Sequence, residues 1–337
     1  MRMTTIKRIN LDNDAKTKKK EKDLTVKPYR HQLEECKSSL KQKLKVGQQT
    51  SVTDVTALAS QAGGHGAGEE GKVGLLVSGQ DHVLKPVQNP PRGLREVAFY
   101  ENISTSTDPE CEQWRDLAPH FYGLETVTME DGTTSEYLKL GTLKMYSTHI
   151  FLYLLYQLEN LTGGMTRPCV LDIKVGKITY GPDATAEKIA KTKKSYIGTR
   201  EPFGFSVCGL VVNSGEGMTR LDKKYGKSLC AETIHTVVDN YIGGKNAQAY
   251  ELAKYFIKKL KDIEVFFEKQ TAYHVFGSSL LFIYDQGSPN TISAQVRLID
   301  FAHSFQADGK IDENYLFGLR NVRKLFETFN ETKPNSL

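Results

Sequence analysis

The stretch that decides the fold is residues 168–176, which read Pro-Cys-Val-Leu-Asp-Ile-Lys-Val-Gly. This apolar run predicts a buried strand, opened by Pro168 and closed by Gly176, where a backbone can approach a ligand closely. Successive side chains of a strand point to opposite faces, so Asp172 and Lys174 share one face and the apolar residues fill the other. A charged pair on a buried strand costs free energy unless a partner compensates it. The pair therefore predicts a ligand site, with a structural salt bridge as the alternative.

Four further segments stand in order around this run. Residues 83–86 (Val-Leu-Lys-Pro) and 91–100 (Pro-Arg-Gly-Leu-Arg-Glu-Val-Ala-Phe-Tyr) precede it. Residues 278–281 (Ser-Ser-Leu-Leu) and 299–303 (Ile-Asp-Phe-Ala-His) follow it. Together with the P-x-x-x-D-x-K-x-G run, they resemble the signature elements of the inositol polyphosphate kinase family over about residues 60–330. Each motif alone is weak, but five in the family's order are specific.

The resemblance implies an α+β, two-lobe, kinase-like inositol polyphosphate kinase fold with ATP bound in the interlobe cleft. The pattern agrees, because strand-like segments dominate the first part of the chain and helical periodicity the second. We expect a disordered basic tail over residues 1–60 and a β-rich ATP-binding lobe over 61–162. A catalytic and inositol-phosphate-binding lobe is expected over 163–331, with a short tail over 332–337.

Composition bounds the class of protein. The 337 residues suffice for a sizeable core, and the formal net charge of +5 is mild. The five cysteines are scattered, without a CxxC pair or metal-ligand spacing, which indicates a reduced cytosolic or nuclear protein. The expected localisation is the nucleus and cytoplasm. The sequence shows no charged-then-apolar leader, and its longest apolar run, 150–158, is too short to span a bilayer. We therefore expect no transmembrane segment.

Two motifs in the first part of the chain each admit two interpretations. The run 16–22, Lys-Thr-Lys-Lys-Lys-Glu-Lys, is either a solvated charge run or a nuclear import signal. The formal G-x-G-x-x-G at 66–71 precedes the strand-like residues 73–77 instead of following a strand, which disfavours a dinucleotide-binding fingerprint. A plain linker is the leading interpretation, and a flexible loop over nucleotide phosphates is the alternative.

Periodicity and turn residues predict the remaining elements. Strands are expected at 72–78, 81–87, 120–128, 135–140, 278–285 and 294–300. Helices are expected at 92–103, 184–194, 228–241, 246–270 and 312–329.

Residues 141–158 interrupt the resemblance as an atypical insertion. Without them, Tyr-Leu-Lys-Leu at 137–140 would join Glu-Asn-Leu-Thr at 159–162, which resembles the family's hinge between lobes. Two explanations stand level. One is a retained intron translated in frame, since a run rich in Phe, Leu and Tyr can be encoded by pyrimidine-rich codons, and the other is a genuine inserted strand. The run 153–158 is similar to 137–140 and would be able to replace it at the cleft edge. Sequencing the transcript across this junction separates the two explanations.

The resemblance places the nucleotide side of the site at four points and implies ATP and Mg²⁺ as cofactors. Lys85 would pair with ATP phosphates, and Glu96 on the following helix would hold that lysine, as in protein kinases. Backbone groups at Glu159 and Leu161 would read the adenine edge. Asp300 resembles a kinase metal-binding aspartate and is the candidate Mg²⁺ ligand. The alternative for the first pair is an exposed lysine beside a solvated helix face.

Asp172, Lys174 and His303 are the predicted catalytic residues. We assign Lys174 to charge stabilisation of the transferred phosphoryl group and to substrate contact. Asp172 orients the nucleotide and the acceptor, and whether it is also the base stays open. His303 shares a face with Asp300 if the strand persists, and the resemblance places its ring on the inositol phosphate. A structural role is the alternative for His303.

The substrate side is basic. The predicted helix at 184–194 carries lysines three residues apart, which places them near one face. The candidate substrate ligands besides Lys174 and His303 are Arg92, Lys188, Lys191, Lys194 and Ser279, with Lys193, Arg200 and Ser278 as further candidates. Converging cations without hydrophobic cover suit a polyphosphorylated small molecule, and a solvated basic face is the alternative. The cluster lacks interleaved aromatics, which disfavours nucleic acid as a partner.

The resemblance implies an ATP-dependent kinase that builds from inositol tris- and tetrakisphosphate toward pentakisphosphate, with phosphatidylinositol bisphosphate head groups as further acceptors. The insert between residues 176 and 204 is short. The resemblance therefore implies an open site, because family members that accept fewer substrates carry a longer lid there. An inositol hexakisphosphate kinase and a mainly scaffolding, weakly active form are the alternatives. A protein kinase is disfavoured, because no H-R-D-x-x-x-x-N loop is present. A monomer is the default expectation.

Overall fold

The fold is described from a computed structural model that covers residues 55–63, 74–130, 150–244, 246–288 and 291–334. Within these ranges the chain forms two antiparallel five-stranded sheets, a two-stranded ribbon and eight helices. The predicted α+β, two-lobe architecture is therefore confirmed. The basic run at 16–22, the glycine motif at 66–71 and the run 137–140 lie outside the described residues.

The first lobe is a sheet with two helices against it. Its strands are β1 (Val55–Ala57), β2 (Leu76–Ser78), β3 (His82–Pro86), β4 (Phe121–Glu130) and β5 (Ile150–Glu159). They lie in the order β1-β2-β3-β5-β4, and the helices are α1 (Arg92–Thr105) and α2 (Pro109–Leu117). Helix α2 begins where sequence rules predict, because Asp108 caps the N–H of Glu110 and proline occupies the first turn.

The second lobe is built on β6 (Pro168–Val175), the strand quoted at the outset. The other strands of its sheet are β7 (Phe205–Asn213), β8 (Met218–Leu221), β10 (Ser279–Asp285) and β11 (Ala294–Ile299), in the order β11-β10-β6-β7-β8. The ribbon pairs β9 (Tyr273–Val275) with β12 (Ser304–Gln306). The helices are α3 (Ala186–Lys193), α4 (Ile197–Phe203), α5 (Lys223–Ser228), α6 (Thr236–Ile242), α7 (Ala247–Phe267) and α8 (Glu313–Glu331).

Helices α7 and α8 cover one face of the second sheet. Phe256 of α7 and Phe326 of α8 pack on Phe282 of β10, with ring centroids 5.4 and 4.9 Å away. All three rings are fully buried, and burial of each stabilises the fold by about 1.5–3 kcal/mol. The apolar side of β6 faces this core, so the charged side of the strand is left for the cleft.

The core does not stop at the lobe boundary. One continuous cluster of buried side chains runs from α1 and α2 into the second sheet and its helices. Phe99 of α1 stacks on Phe301, which follows β11, at 4.0 Å between ring centroids. Trp114 of α2 contacts Phe266 and Phe267 of α7, at 5.1 and 5.5 Å. The two lobes are therefore joined through α1 and α2.

The structure differs from the sequence predictions at four places. Residues 55–60, assigned to the tail, form β1 and the chain after it. Residues 150–158 of the atypical insertion form most of β5, which pairs with both β3 and β4. The strand before Asp300 stops at Ile299, so the condition under which His303 would share a face with Asp300 is not met. The predicted helix at 228–241 is α6 alone, preceded by turns.

The described residues also test the expectations about membrane spans and cysteines. None of their helices combines the length and apolar composition that crossing a bilayer requires. The four cysteines among them, at positions 111, 169, 208 and 230, are free thiols.

Candidate functional site

The site begins with a lysine that bridges the lobes. Lys85 projects from β3 and donates from Nζ to Glu96 Oε1 on α1 at 2.8 Å and to Asp300 Oδ1 at 2.7 Å. Glu96 is fully buried, and its Oε1 also accepts the backbone N–H of Phe301 at 3.2 Å. Burial alone would lower the pKa of Lys85, but Asp300 and Glu96 outweigh it and hold that pKa well above its usual value. The predicted Lys85–Glu96 pair is therefore formed, and the lysine stays charged.

Asp300 is held in an unusual backbone conformation. It follows the last residue of β11 with a φ of 67°, in the left-handed region that non-glycine residues seldom adopt. This turn presents a carboxylate that is 39% exposed, 2.7 Å from Lys85 and 3.9 Å from Lys174 Nζ. Burial would raise the pKa of Asp300, but the ammonium groups of Lys85 and Lys174 lower it to about 2. The carboxylate is thus ionised at every physiological pH.

Lys174 and Asp172 project from β6 on the same face, as predicted. Cross-strand pairing sets Ser279 of β10 opposite Lys174, and a bulge in β7 falls beside Asp172. Lys174 Nζ donates to the carbonyl of Gly277 as well as facing Asp300. Burial would lower the pKa of Lys174, but the surrounding anionic groups raise it above its ordinary value.

Asp172 is more enclosed than its partners, at 4% exposed. Burial and the neighbouring Asp300 charge raise its pKa from 3.8 to about 6, against the opposing effect of Lys174. Among the described residues its Oδ1 has no hydrogen-bond partner. The buried Cys208 thiol lies next to it on β7, and burial raises the pKa of that thiol to about 12, so it stays protonated. A buried carboxylate with an unused oxygen is suited to a ligand hydroxyl.

A basic region adjoins this cluster around His303. Burial, together with the nearby Lys188 and Arg95 charges, lowers the pKa of His303 to about 4, so its ring is neutral at pH 7. Partial burial and the Arg92 guanidinium lower the pKa of Lys188, so charges on α1 and α3 lie within electrostatic reach of each other. Arg95 is buried and holds the loop before α3, donating to Asp183 Oδ2 at 2.6 Å and to the carbonyl of Ala302 at 3.0 Å.

The other predicted substrate residues divide into two groups. Lys191, Lys193 and Lys194 are exposed on and at the end of α3, as a solvated basic face requires, and Lys191 lies within electrostatic reach of Lys188. Ser279 faces the site but is fully buried. Arg200 and Ser278 make hydrogen bonds within the fold, and their roles as ligands stay predictions. Arg200 donates inward to the carbonyl of Thr192, and the Ser278 hydroxyl donates to the carbonyl of Ile299.

The hinge follows β5 directly. The backbone N–H groups of Glu159 and Asn160 donate to the carbonyls of His120 and Asp81, each at 2.8 Å. The Leu161 carbonyl accepts the Gln295 side-chain amide at 2.7 Å. Glu159 also pairs with Arg297 of β11 at 3.5 Å, so this segment contacts both lobes.

Two features of the site were not predicted from the sequence. The Arg95–Asp183 pair joins residues far apart in the chain, and the only local signal was the position of Arg95 on the same helix as Glu96. Tyr156 of β5 is fully buried directly opposite Lys85, whose Nζ lies 5.7 Å from the ring centroid. It belongs to the atypical insertion, where the pattern offered no register.

Taken together, the cleft brings two ammonium groups and three carboxylates from four separate segments within a few ångströms. Fixed cations with one exposed carboxylate suit a polyphosphate with a divalent cation, because hard cations prefer carboxylate and phosphate oxygens. Among the described residues no group of three or more His, Cys, Asp or Glu side chains could hold a metal by itself. A cation bound here would therefore need ligand oxygens in addition to Asp300.

Comparisons with known proteins agree with this chemistry. The sequence model of the family described as "Inositol polyphosphate kinase" matches residues 155–327. Inositol polyphosphate multikinase alpha of Arabidopsis thaliana is 29% identical over 280 residues, which cover 77% of this chain and 90% of that protein. The human inositol polyphosphate multikinase is 29% identical over 269 residues, which cover 78% of this chain and 59% of that protein. Mouse inositol hexakisphosphate kinase 1 is 29% identical over 237 residues, which cover 56% of this chain and 54% of that protein.

A solved structure shows the same fold. The crystal structure of the Saccharomyces cerevisiae inositol phosphate multikinase Ipk2, in complex with ADP and Mn²⁺, covers 74% of this chain with a TM-score of 0.56 and 24% identity. This chain covers 99% of that structure, so the two-lobe architecture is shared throughout. The family model spans about half of the 337 residues, from β5 through α8, including β6 and Asp300. The chain is therefore an inositol phosphate kinase that belongs to the inositol polyphosphate kinase family.

Proposed function

We propose that the protein is an ATP-dependent inositol polyphosphate multikinase, which phosphorylates inositol tris- and tetrakisphosphate toward pentakisphosphate. The observation that carries the proposal is the meeting of Lys85, Lys174 and Asp300 in one cleft beside the basic region around His303. The first group fits a nucleotide triphosphate, and the second fits an acceptor that already carries several phosphates. Relatives named multikinase, similar over most of the chain, support the same assignment.

In this proposal the nucleotide lies between the sheets. Lys85 binds the α- and β-phosphates, and Glu96 fixes the direction of its ammonium group. The adenine edge meets the hinge at Leu161, because the N–H groups of Glu159 and Asn160 already serve the protein. The ribose hydroxyls are placed toward Asp172.

Asp300 is the proposed ligand of Mg²⁺. The ionisation, exposure and backbone conformation of its carboxylate all suit a divalent cation. Its carboxylate is ionised, partly exposed and held in place by a left-handed turn, as a hard cation requires. When bound together with ATP, the cation supplies charge neutralisation at the phosphates. Lys174 stabilises charge on the transferred group, Asp172 orients the attacking hydroxyl, and His303 contacts the acceptor with Arg92 and Lys188.

Product analysis tests the proposal. The full chain is incubated with Mg-ATP and a panel of inositol bis-, tris-, tetrakis-, pentakis- and hexakisphosphates, and the products are separated by chromatography. We expect turnover of tris- and tetrakisphosphate and accumulation of pentakisphosphate. Turnover of hexakisphosphate alone would favour the alternative kinase, to which the mouse relative points. If no acceptor gives an ATP-dependent product, the result would favour the alternative of a mainly scaffolding protein. Vesicles with phosphatidylinositol bisphosphate test the lipid acceptor separately.

Two variants test the assigned roles. Lys174→Ala and Asp300→Asn should each lower kcat by at least about 10²-fold, because each removes charge aimed at the reacting phosphate. Lys254→Ala, an exposed lysine on α7, and Asp308→Asn, another aspartate with positive φ, are the matched controls and should keep full activity. Wild-type kcat in either site variant would contradict the assignment.

A further inference from the structure

The segment that follows β1 crosses from the first sheet to the second. Residues 58–63, here called the strap, begin at the first sheet, where the N–H of Leu58 donates to the carbonyl of Leu75 at 3.0 Å, and continue against β7 and β8. Arg220 of β8 holds them, with its guanidinium donating to the carbonyl of Ala59 at 2.7 Å and to the carbonyl of Gln61. One side chain of the second lobe thus fixes two backbone groups that come from the first.

Further hydrogen bonds fix the middle of the strap. The buried Ser60 hydroxyl lies 3.1 Å from the hydroxyl of Thr162, immediately after the hinge. Gln61 donates from its side chain to the Gly63 carbonyl at 2.9 Å and accepts the N–H of Leu75, next to β2, at 3.1 Å. These contacts bind the strap to the hinge, the first sheet and the second sheet together.

The strap touches the catalytic strand at Gly63. A methyl group built on Gly63 would lie 1.8 Å from Asp172 Oδ2, too close for any side chain. The same holds for Gly209 of β7, whose added methyl would lie 2.2 Å from the carbonyl oxygen of Ala62. Because Gly63 and Gly209 have no side chains, the strap can lie directly on the second sheet. The strap is therefore a wall of the site. It accounts for part of the burial of Asp172.

We propose that Arg220 is a positioning residue for nucleotide binding, which holds the strap against Asp172. The proposal rests on the function assigned to this cleft. A fixed strap packs on Oδ2 and leaves the buried Oδ1 as the oxygen without a partner among the described residues, so the carboxylate has one orientation before the nucleotide arrives. Without Arg220, both carbonyls lose their donor and the nucleotide must order the strap when it binds, which weakens binding.

The test replaces Arg220 by methionine, which keeps the length and apolar character of the stem and removes every donor. We expect the Kd for ADP, measured by calorimetry, and the KM for ATP to rise about tenfold, or about 1.4 kcal/mol. The loss in kcat should be smaller than the loss in ADP affinity, because Lys174 and Asp300 are untouched and Asp172 keeps its place on β6, and the KM for inositol trisphosphate should not change, because the basic region is untouched. Arg220→Lys should recover part of the affinity, since one ammonium group reaches fewer carbonyls than a guanidinium.

Arg115→Met is the matched control. Arg115 also holds two backbone carbonyls, those of Ile103 and Ser106, but at the far end of α1. Wild-type ADP affinity in Arg220→Met, tighter binding, or an equal loss in Arg115→Met would each overturn the proposal. Tighter binding would mean that the strap competes with the nucleotide. Gly63→Ala is a second route to the same displacement and should weaken ADP binding as well. If the wild-type chain neither binds ADP nor turns over, the proposed function fails independently of Arg220.

Discussion

At the residue scale, Asp172 is a residue whose burial lowers the stability of the folded protein. Its carboxylate is 4% exposed, and its Oδ1 is unpaired among the described residues. Burial raises its pKa to about 6, so the folded protein binds a proton more readily than the unfolded chain does. The sign of the pH effect follows. The free energy of unfolding falls as pH rises from about 4 to about 6, because the Asp172 carboxylate must then ionise while it is shielded from water.

Asp172→Asn should therefore stabilise the fold while removing activity. The gain in free energy of unfolding should approach about 3 kcal/mol above pH 7, from a shift of about two pKa units, and vanish near pH 4. Thermal or urea unfolding at both pH values measures it. Asp262→Asn, an exposed aspartate on α7, is the control and should change neither value. A destabilised Asp172→Asn at pH 7 would mean that the Lys174 contact outweighs the cost of burial.

His303 carries a second pH effect. Its pKa is about 4 because burial and the Lys188 and Arg95 charges oppose protonation. A polyanionic acceptor would cancel those charges and raise the pKa, so binding should take up protons, increasingly as pH falls from 7 to 5. Calorimetry of inositol trisphosphate binding in buffers of different ionisation enthalpy measures the uptake. His303→Gln should abolish it and His274→Gln, in the ribbon, should not. Binding heats that do not depend on the buffer would contradict the prediction.

At the element scale, β5 is the most consequential strand of the first lobe. It pairs with β3 and β4 on its two sides and leads into the hinge, yet most of it comes from the atypical insertion. Tyr156 faces Lys85 across the β3–β5 ladder, and burial raises the pKa of its phenol well above the usual value, so the ring stays neutral. The inserted residues are thus part of the wall behind Lys85. Whether they arise from a retained intron stays a prediction for transcript sequencing.

Tyr156→Ala should cost about 3–5 kcal/mol of stability and also weaken ADP binding, because the cavity lies beside Lys85. Leu158→Ala is the matched control, on the same strand and face but two residue pairs farther along the ladder from the lysine. It should destabilise the fold with a smaller effect on ADP affinity at a temperature where both variants are folded. Chemical unfolding and calorimetry measure the two effects. Equal losses of ADP affinity would show that Tyr156 acts only as core.

Elements with strong patterns were predictable, and those that depend on distant contacts were not. The apolar run at β6 and the helical spacing of α1, α7 and α8 placed these elements within a few residues. Strand β7 is buried along most of its length and shows no alternation, so periodicity gave no signal. The site motifs were local and were found. The strap contact with Asp172 and the Arg95–Asp183 pair were not, because each joins residues about a hundred positions apart in the chain.

At the scale of the whole molecule, the two lobes share one core. The Phe99–Phe301 stack, the contacts of Trp114 with α7 and the bonds from Arg297 to the carbonyls of Asp116 and Ala118 all cross the boundary. Contacts through α1 and α2 therefore couple the stability of the first sheet to that of the second.

This coupling predicts a single unfolding transition. Calorimetry of the full chain should give one peak, with a calorimetric enthalpy near the van't Hoff value. Phe99→Ala should move that peak to lower temperature without dividing it, at a cost of about 3–5 kcal/mol. Phe317→Ala, a partly exposed residue of α8, should shift it far less. Two resolved peaks in the wild-type protein would show that the lobes unfold independently.

The register of β5 has a consequence for selective inhibition. A messenger without the codons for 141–158 would fuse position 140 to 159, and counting back from Glu159 would set Leu138 where Tyr156 now faces Lys85. Two splice products of one gene would then differ in volume and polarity beside Lys85, at the rear of the proposed nucleotide site. A compound that extends past the lysine toward this position should discriminate between them, with leucine admitting a larger substituent than tyrosine.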